Sequence, residues 1–370
     1  MPAVDGYSEA DRAHMARALD LAARGLFTTT PNPRVGCVIV RDGAVLGEGF
    51  HERAGEPHAE VNALADAVRR GHDPRDATLY VTLEPCNAHG RVGPCVDAVL
   101  AAGIARVVAA MGDPNPRKGG GAQRLRAAGV DVTIGLLEPA ARELNPGFLS
   151  VCARGRPWVR VKVAASLDGR TALAGGQSQW ITGPDARADG HAWRARACAI
   201  LTGIGTVLQD DPQLTVRAVA TTRQPRRVVV DRHGQTPAGA RVLAGGGTLI
   251  VTAGERNSAW PADVDVLALP DGNGRVDLPA MMKALAGRGI GELHVEAGAR
   301  LNGALLDAGL VDEILLYVAP SVLGDPARGV FDRASALSSL AQRNEFAWRD
   351  VQRVGDDLRL VARRAGSEVS

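Results

Sequence analysis

The chain has 370 residues, of which 45% are hydrophobic and 23% are charged. That length exceeds what one hydrophobic core usually serves, and the composition is typical of globular enzymes, so we expect two domains. The 43 basic and 41 acidic residues nearly cancel, which argues against a nucleic-acid partner.

The sequence shows no feature of a membrane or secreted protein. It contains no window of about 18 apolar residues, and MPAVDGYSEADRAHMARALD at the N-terminus has no basic-then-apolar leader. The five cysteines are scattered and odd in number, which argues against a disulfide framework. We therefore expect a cytoplasmic protein that has no membrane contact.

The first half of the chain alternates between helical and strand patterns. A first helix is predicted over residues 8–24, with Ser8 as its N-cap and Gly25 as its end. The turn signal at residues 41–43 predicts a hairpin. The predicted strands are 35–40, 44–50, 78–83, 105–111 and 130–134, and the further helices are 58–70, 95–102 and 122–128. This alternation predicts a helix-sheet-helix sandwich.

The pattern restarts near residue 150. Residues 152–157 are predicted to be a short connector, so we expect one domain over 1–150 and another over 155–368. The predicted strands are 159–165, 199–201, 227–230, 248–251, 293–296 and 313–318, and the predicted helices are 185–197, 278–286 and 301–308. Because the second half does not repeat the first, we expect two different α/β domains.

The most informative motif joins His58-Ala59-Glu60 to Pro85-Cys86 and Pro94-Cys95. His and Cys are common zinc ligands, and three protein ligands leave a fourth position open for water. H-x-E followed by P-C-x-x-C is the pattern of zinc nucleobase deaminases, although eight residues separate the two cysteines here rather than two. The motif predicts a zinc site at His58, Cys86 and Cys95, with Glu60 as the catalytic proton carrier.

The prolines explain how these residues can meet. Pro57 and Pro94 predict that helices begin at His58 and Cys95, and the positive end of a helix favours a thiolate. Bound zinc lowers the pKa of a water to about 7, and Glu60 would pass the proton of that water to the leaving amine. The other cysteines are predicted to be inert core residues, namely Cys37, Cys152 and Cys198.

Polar segments in the second half follow predicted strands or precede predicted helices. TGIGT at 202–206 and HVEAG at 294–298 could bring backbone N–H groups close to a phosphate. KVAASLDGR at 162–170 and SQWIT at 178–182 add polar and aromatic side chains. A full G-x-G-x-x-G is absent, which argues against a Rossmann-type nicotinamide site.

Seven motifs together resemble a known family. They are PNP at 31–33, HAEV at 58–61, EPC at 84–86, DPNP at 113–116, SLDGR at 166–170, SQWI at 178–181 and DDP at 210–212. From about residue 8 to about residue 364, the chain resembles the bifunctional riboflavin-biosynthesis deaminase–reductases. The resemblance implies a cytidine-deaminase-like domain followed by a dihydrofolate-reductase-like α/β domain.

The resemblance also implies the site residues. It accounts for the long cysteine spacing and assigns zinc to His58, Cys86 and Cys95, with Glu60 as the proton carrier. The implied NADPH contacts are Ala164, Trp180, Thr206, Asp210, Arg232, Gly298, Ala299, Arg300, Leu301, Asn302, Gly303 and Ala304. The implied substrate contacts are Ser178, Arg194, Leu214, Arg217 and Glu296. Arg232 replaces a common serine and is expected to meet the 2′-phosphate of NADPH.

The chain departs from the family pattern at a few positions. Ala88 stands where a histidine is usual, with His89 beside it; Val92-Gly93 replaces Thr-Pro, and Asn62 replaces a common histidine. None of these positions is a zinc ligand. The departures therefore bear on the substrate contacts of the deaminase and not on its metal.

The implied function has two steps. Zinc-dependent hydrolysis deaminates 2,5-diamino-6-ribosylamino-4(3H)-pyrimidinone 5′-phosphate, and NADPH then reduces the ribosyl group of 5-amino-6-(5-phosphoribosylamino)uracil to ribityl. The family also implies a homodimer or homotetramer. One alternative is a nucleoside or RNA deaminase with an accessory domain, which the 4% aromatic content disfavours. The other is a reductase whose degenerate zinc domain is only structural, for which Ala88 is the one indication.

Overall fold

The structure is a computed structural model that describes residues 6–88 and 93–367. The chain forms two compact units, residues 1–153 and residues 154–370. None of the helices within the described ranges combines the length and the apolar composition that a bilayer crossing needs.

Among its described residues, the first unit contains a five-stranded sheet with the order β2-β1-β3-β4-β5. Its strands are β1 Gly36–Arg41, β2 Ala44–Phe50, β3 Thr78–Val81, β4 Arg106–Ala109 and β5 Asp131–Ile134. β1 is antiparallel to both of its neighbours, whereas β3, β4 and β5 are parallel. The predicted hairpin is confirmed, with Asp42 and Gly43 both at positive φ in its turn.

Helices cover this sheet. They are α1 Glu9–Arg24, α2 Ala59–Arg69, α3 Cys95–Ala101, α4 Gly121–Ala127, α5 Glu138–Leu144 and α6 Pro146–Arg154. The predicted first helix is confirmed, because Ser8 caps α1 in a capping box with Asp11 and Gly25 ends it.

Two glycines fix which helix lies on which face. A Cβ on Gly36 of β1 would lie 1.9 Å from the carbonyl oxygen of Ala18 in α1. A Cβ on Gly47 of β2 would lie 2.4 Å from that of Ala63 in α2. Gly47 pairs with Ile39, which faces the opposite side of β1 from Gly36. α1 and α2 therefore cover opposite faces, as the predicted sandwich requires.

The connector predicted at residues 152–157 is wrong in its first half. Residues 152–154 form the last turn of α6, a helix that the sequence reading missed together with α5. Pro146 starts α6 directly after Asn145, where α5 ends, and such adjacent short helices lack a separating turn signal. The chain leaves α6 at Gly155, which has a φ of 63°.

Among its described residues, the second unit has a nine-stranded sheet with the order β10-β9-β8-β7-β11-β6-β12-β14-β13. Its strands are β6 Trp158–Ser166, β7 Ala199–Gly203, β8 Arg226–Val230, β9 Thr248–Thr252, β10 Asp265–Ala268, β11 Glu292–Val295, β12 Glu313–Ala319, β13 Phe346–Val354 and β14 Asp357–Arg364. The run from β10 to β12 is parallel, and β14 and β13 extend it antiparallel.

The α-helices of this unit are α7 Pro184–Arg196, α8 Ile204–Asp210, α9 Leu278–Gly287 and α10 Ala299–Asp307, and 3₁₀ turns lie at Arg241–Leu243 and Leu340–Gln342. The sequence does not predict α8, and the helix predicted over 301–308 is confirmed as α10 with its start two residues earlier, at Ala299.

Strand β6, in the centre of the second sheet, has one apolar and one charged face. Val159, Val161 and Val163 of β6 pack into the main hydrophobic core with β11 and α10. The alternate residues Arg160 and Lys162 face α7, where the guanidinium of Arg160 lies 4.5 Å from the ring of Trp193. Arg160 is buried and pairs with Glu292 and Glu313. The charged face ends at the carboxyl edge of the sheet.

Candidate active sites

The first candidate site is a cluster of three metal-ligating side chains. His58 is the N-cap of α2, Cys86 follows β3, and Cys95 is the first residue of α3. The Nδ1 atom of His58 lies 3.2 Å from Cys95 Sγ and 3.5 Å from Cys86 Sγ. Within the described residues, this is the one group of three metal-ligating side chains whose donor atoms all lie within 4.8 Å of one another.

The donor set fits zinc. One imidazole nitrogen and two sulfurs are typical zinc ligands, and three of them leave one position of a tetrahedron open. Hydrogen bonds from the Cys95 thiol, from His58 and from the Cys95 N–H lower the pKa of Cys86 to about 4. Without a metal, Cys86 is therefore already a thiolate, and a bound cation would displace the proton that remains on Cys95.

Glu60 lies beside these ligands as the second residue of α2. Its side chain is 3% exposed, and burial raises its pKa to about 7. Two positions apart in a regular helix, His58 and Glu60 would diverge. They converge because His58 precedes the helix with an extended backbone, at φ −76° and ψ 169°.

A cavity of about 240 Å³ opens onto His58, Glu60 and Cys86. Its lining includes polar residues that had no role assigned from the sequence, namely Asn32, His51, Glu84, Asp113, Asn115, Lys118 and Cys152. The motifs at 31–33, 84–86 and 113–116 contained four of them, so the motifs were the available signal. Cys152 corrects an expectation, because it borders this cavity instead of belonging to the core.

His51 orients Asn32. The His51 Nδ1–H group donates to the carbonyl oxygen of Pro57 at 3.1 Å, so its Nε2 atom accepts from the Asn32 amide at 3.0 Å. Burial lowers the pKa of His51, which keeps the ring neutral. This arrangement leaves the amide oxygen of Asn32 as an acceptor at the cavity.

Glu84 connects two segments of the cavity wall. Its carboxylate accepts the N–H of Asp113 at 2.9 Å and the N–H of Ala122 at 2.7 Å. Burial, and then the nearby Glu84 charge, raise the pKa of Asp113 to about 6. Glu84 therefore links the residues after β4 and the start of α4 to the strand end that carries Cys86.

The residues that depart from the family pattern lie in different structural environments. The Asn62 amide donates to the carbonyl oxygen of Phe50 at 2.8 Å, so this side chain ties α2 to β2. Ala88 follows the Cys86 segment and is half-buried. His89 and Val92 lie outside the described residues.

The second candidate site lies at the carboxyl edge of the second sheet. Glu296 follows β11, its N–H donates to the carbonyl oxygen of Leu201 at 2.9 Å, and Thr202 Oγ1 donates to its carbonyl oxygen at 2.7 Å. Ala164 lies near the end of β6, the next strand in the sheet. Because these strands are parallel, their carboxyl ends form one cleft, which is where open α/β sheets bind ligands.

Arg194 of α7 is paired with Glu296. Its Nε atom lies 2.5 Å from Glu296 Oε1, its Nη2 atom lies 2.8 Å from Oε2, and Nη1 donates to the carbonyl oxygen of Thr215 at 3.1 Å. Although burial opposes ionisation, Arg194 holds the pKa of Glu296 well below its usual range. Glu296 is thus ionised at neutral pH.

Lys162 reaches the same place from β6 and was assigned no role from the sequence. Burial lowers the pKa of Lys162, and the nearby Glu296 opposes that shift. The sequence indicates only that the segment 162–170 adds polar side chains at a predicted strand. The neighbours that make Lys162 notable come from β11 and β12, so local sequence could not reveal them.

Leu214 and Arg217 lie on the segment that Arg194 anchors. Leu214 is buried and has a φ of 51°. The backbone N–H of Arg217 donates to His191 Nδ1 at 3.2 Å, and its guanidinium donates to Gln213 at 2.8 Å. Arg217 itself is exposed, so it remains accessible to an anion.

The N-terminus of α10 offers backbone donors. Gly298 is the N-cap and makes no side-chain cap, so the N–H groups of Ala299, Arg300 and Leu301 stand at the positive end of the helix. The later residues pack inward. The Asn302 amide donates to the carbonyl oxygen of Ala297. A Cβ on Gly303 would lie 1.9 Å from the carbonyl oxygen of Asp332, so the helix packs closely against that residue. Ala304 continues α10 one residue further on.

The remaining predicted residues lie around the same edge. Thr206 and Asp210 belong to α8; burial raises the pKa of Asp210, and the nearby Ser178 opposes that rise. Trp180 is 69% exposed and lies against the guanidinium of Arg187. Arg232 follows β8, is exposed and makes no ion pair with any residue that the structure describes.

Comparisons with known proteins cover both units. Residues 8–111 match the cytidine and deoxycytidylate deaminase zinc-binding region, and residues 157–360 match the RibD C-terminal domain. The riboflavin biosynthesis protein RibD of Escherichia coli is 49% identical over 362 residues, covering 94% of this chain and 98% of that protein.

Solved structures of the same family are similar to this chain over nearly its whole length. A structure of RibD from Acinetobacter baumannii matches with a TM-score of 0.88 at 42% identity, covering 96% of this chain and 99% of that one. A diaminohydroxyphosphoribosylaminopyrimidine deaminase/5-amino-6-(5-phosphoribosylamino)uracil reductase from Thermotoga maritima matches with a TM-score of 0.88 at 34% identity, over the same shares of the two chains. The predicted fold class of both domains is confirmed.

Proposed function

Because the chain belongs to the RibD family of riboflavin biosynthesis proteins, a zinc deaminase joined to an NADPH reductase, we propose that its first unit carries the deamination and its second unit the reduction. The predicted bifunctional activity and its two cofactors are confirmed by this membership. The roles of individual residues below are our proposal. The cluster of His58, Cys86 and Cys95 beside a buried glutamate is the observation that carries it.

In the deaminase, His58, Cys86 and Cys95 hold zinc. When bound, zinc supplies a Lewis acid that lowers the pKa of a water to about 7. Glu60 accepts the proton of the attacking water and returns it to the leaving amine, for which a pKa near neutrality is well suited. Burial of Glu60 keeps bulk water from competing for that proton.

The cavity beside Glu60 receives the aminopyrimidine ring. Its volume of about 240 Å³ suits one ring better than a stacked oligonucleotide. The oriented amide of Asn32 and the side chains of Asp113 and Asn115 supply neutral and acidic partners for the ring edge. Ala88 removes one usual contact in this family, and we expect it to change substrate affinity without affecting zinc.

In the reductase, the N-terminus of α10 receives the NADPH phosphates and Arg232 the 2′-phosphate. The three backbone donors at residues 299–301 support this assignment, as does the exposed guanidinium of Arg232, which has no ion pair among the described residues. Ala164, Trp180, Thr206 and Asp210 complete the cofactor contacts. Asn302, Gly303 and Ala304 support the helix from within α10.

The substrate lies between Glu296 and Arg217. Arg217 and Arg194 bind its phosphate, Leu214 and Ser178 border the sugar, and the ionised Glu296 accepts hydrogen bonds from sugar hydroxyls. During reduction the ribose C1–O bond breaks, C1 gains the hydride that NADPH supplies, and the ring oxygen gains a proton. Since Glu296 is held ionised, we assign that proton to the ammonium of Lys162, which is then reprotonated from solvent.

We also propose a homodimer that is formed through the second sheet. Val351 of β13 pairs with Leu360 of β14, which pairs with Leu316 of β12, so the three side chains share one face. Leu358 lies on the same face, two residues before Leu360, and Val351 and Leu358 are 58% and 43% exposed. Contiguous exposed apolar rows mark interfaces, and a second copy is the commonest occupant.

The cytoplasm is the expected compartment, as the sequence indicated. The deamination needs Cys86 and Cys95 as thiolates, which a reducing compartment preserves, and the reduction consumes NADPH.

One experiment tests both halves of the proposal. Purified protein is given the diamino substrate and NADPH, and ammonia release and nicotinamide absorbance are followed together. We expect both signals in the wild type, and only NADPH oxidation when a Glu60→Gln variant is given the deaminated intermediate. Ammonia release without NADPH oxidation would refute the assignment of the second unit.

A further inference from the structure

Lys162 lacks the contacts that normally fix a lysine. It makes no hydrogen bond or ion pair with any residue within 6–88 and 93–367. Within these ranges, the one aromatic ring within reach of its ammonium is that of Tyr317, whose centroid lies 5.8 Å from Nζ. That distance is within the range of a cation–π interaction. A flexible four-carbon side chain in this position needs something to hold its charge in place.

The side chain of Tyr317 is fixed by burial and by a hydrogen bond. It lies on β12 opposite Ala164 of β6, two residues beyond the pair of Leu315 with Lys162, so it shares a sheet face with Lys162. Its side chain is 1% exposed. The hydroxyl donates to Asp189 of α7 at 2.5 Å.

Asp189 is fixed in turn. Arg359 of β14 donates to both of its carboxylate oxygens at 3.1 Å, and also to Asp350 at 2.8 Å. The ring of Tyr317 is therefore held from the helix side and from the sheet side. A ring held in this way can position a partner that has no anchor of its own.

The other charges near Lys162 do not fix it. Glu296 at the end of β11 attracts it, but both oxygens of that carboxylate are engaged by Arg194. Arg194 and His191 of α7 face the same region, and the positive charge of Arg194 disfavours the ammonium. Among these groups, the Tyr317 ring is the one attractive partner that is not already occupied.

We propose that Tyr317 is a positioning residue of the reductase, whose ring face holds the Lys162 ammonium where it delivers a proton to the opening sugar. The proposal rests on the role assigned to Lys162 above. It gives the Asp189–Arg359 pair a purpose as well, because that pair keeps the ring in place.

Three variants test the proposal by single-turnover NADPH oxidation with saturating deaminated substrate. Tyr317→Leu removes the ring, and we expect a rate loss of about 10- to 100-fold, as for a displaced catalytic group. Tyr317→Phe keeps the ring between its strand neighbours and loses only the Asp189 anchor, so we expect a partial loss of less than about 5-fold. Leu315→Ala is the matched control, because Leu315 is buried in the same small cluster but presents no ring; its rate should stay within about 3-fold of the wild type.

A double-mutant cycle separates positioning from general packing. If Tyr317 acts through Lys162, then Tyr317→Leu should cost less than about 2-fold in a Lys162→Gln background. An equal loss in both backgrounds, or equal losses for the Phe and Leu variants, would overturn the proposal. NADPH affinity, measured by fluorescence quenching, should be unchanged in every folded variant. A wild-type rate for Lys162→Gln alone would instead refute the role of Lys162 in the proposed function.

Discussion

Replacing Glu84 with Gln should disable the deaminase without removing its zinc. The carboxylate accepts two backbone N–H groups, from Asp113 and Ala122. Glutamine can accept only one of them, because its amide nitrogen is a donor and would face the other N–H. The change removes one hydrogen bond to a charged acceptor and leaves one buried donor unpaired, together about 3 kcal/mol.

The loss destabilises the conformation of the cavity wall in which Glu84 holds the Asp113 and Ala122 segments together. If the fraction of molecules with this conformation falls by the full amount, kcat/KM for ammonia release falls about 100-fold, since about 1.4 kcal/mol corresponds to a factor of ten. The assay measures ammonia release together with zinc per chain and NADPH oxidation on the deaminated intermediate. The last two should be unchanged, because neither depends on the Asp113 segment.

The matched control is Glu138→Gln, the same chemical change in a partly exposed i,i+4 pair with Arg142, which should have no measurable effect. A Glu84→Gln enzyme within threefold of the wild type would show that the two N–H groups find other acceptors. A parallel loss of zinc would show that Glu84 supports the metal ligands instead of the cavity wall.

Three further predictions concern the two sites and the dimer. Glu60→Gln should lower ammonia release by about 100- to 10,000-fold while zinc content and NADPH oxidation stay unchanged, and a chelator should abolish ammonia release alone; retained turnover in the variant would make the zinc site structural. Arg232→Ala should weaken NADPH binding by about 10- to 100-fold and leave NADH binding unchanged, as measured by titration with each cofactor; an equal loss for both would place Arg232 away from the 2′-phosphate. Val351→Asp should convert a dimer to a monomer in light scattering, whereas a variant that remains dimeric would locate the interface elsewhere.

The sequence predicted the features whose signals are local. The cap at Ser8 and the turn at Asp42-Gly43 follow from side chains close to the backbone they act on. The three zinc ligands are distant along the chain, and they were predicted because their residue types and order match a known pattern. The sequence reading missed α8, which is only seven residues long. It also missed the β13–β14 ribbon, whose exposed residues give no clean alternation of apolar and polar positions.

The parts that could not be predicted depend on distant pairs. Lys162 acquires its setting from Glu296 and Tyr317, which lie on other strands of the sheet. Cys152 borders the deaminase cavity although it is 57 residues beyond Cys95. Such contacts depend on strand order and helix placement, and no spacing along the chain encodes them.

The apolar and charged faces of β6 also affect the register in which the strands of the second sheet pair during folding. Side chains alternate along a strand, so a slip of β6 by one residue would turn Arg160 and Lys162 into the apolar core and Val161 toward α7. Stranding even one such charge without its partner costs about 3–5 kcal/mol, comparable with much of a domain's net stability. The buried charges therefore exclude misaligned strand pairings during folding, in a sheet whose neighbouring valine-rich strands would otherwise pair in several registers.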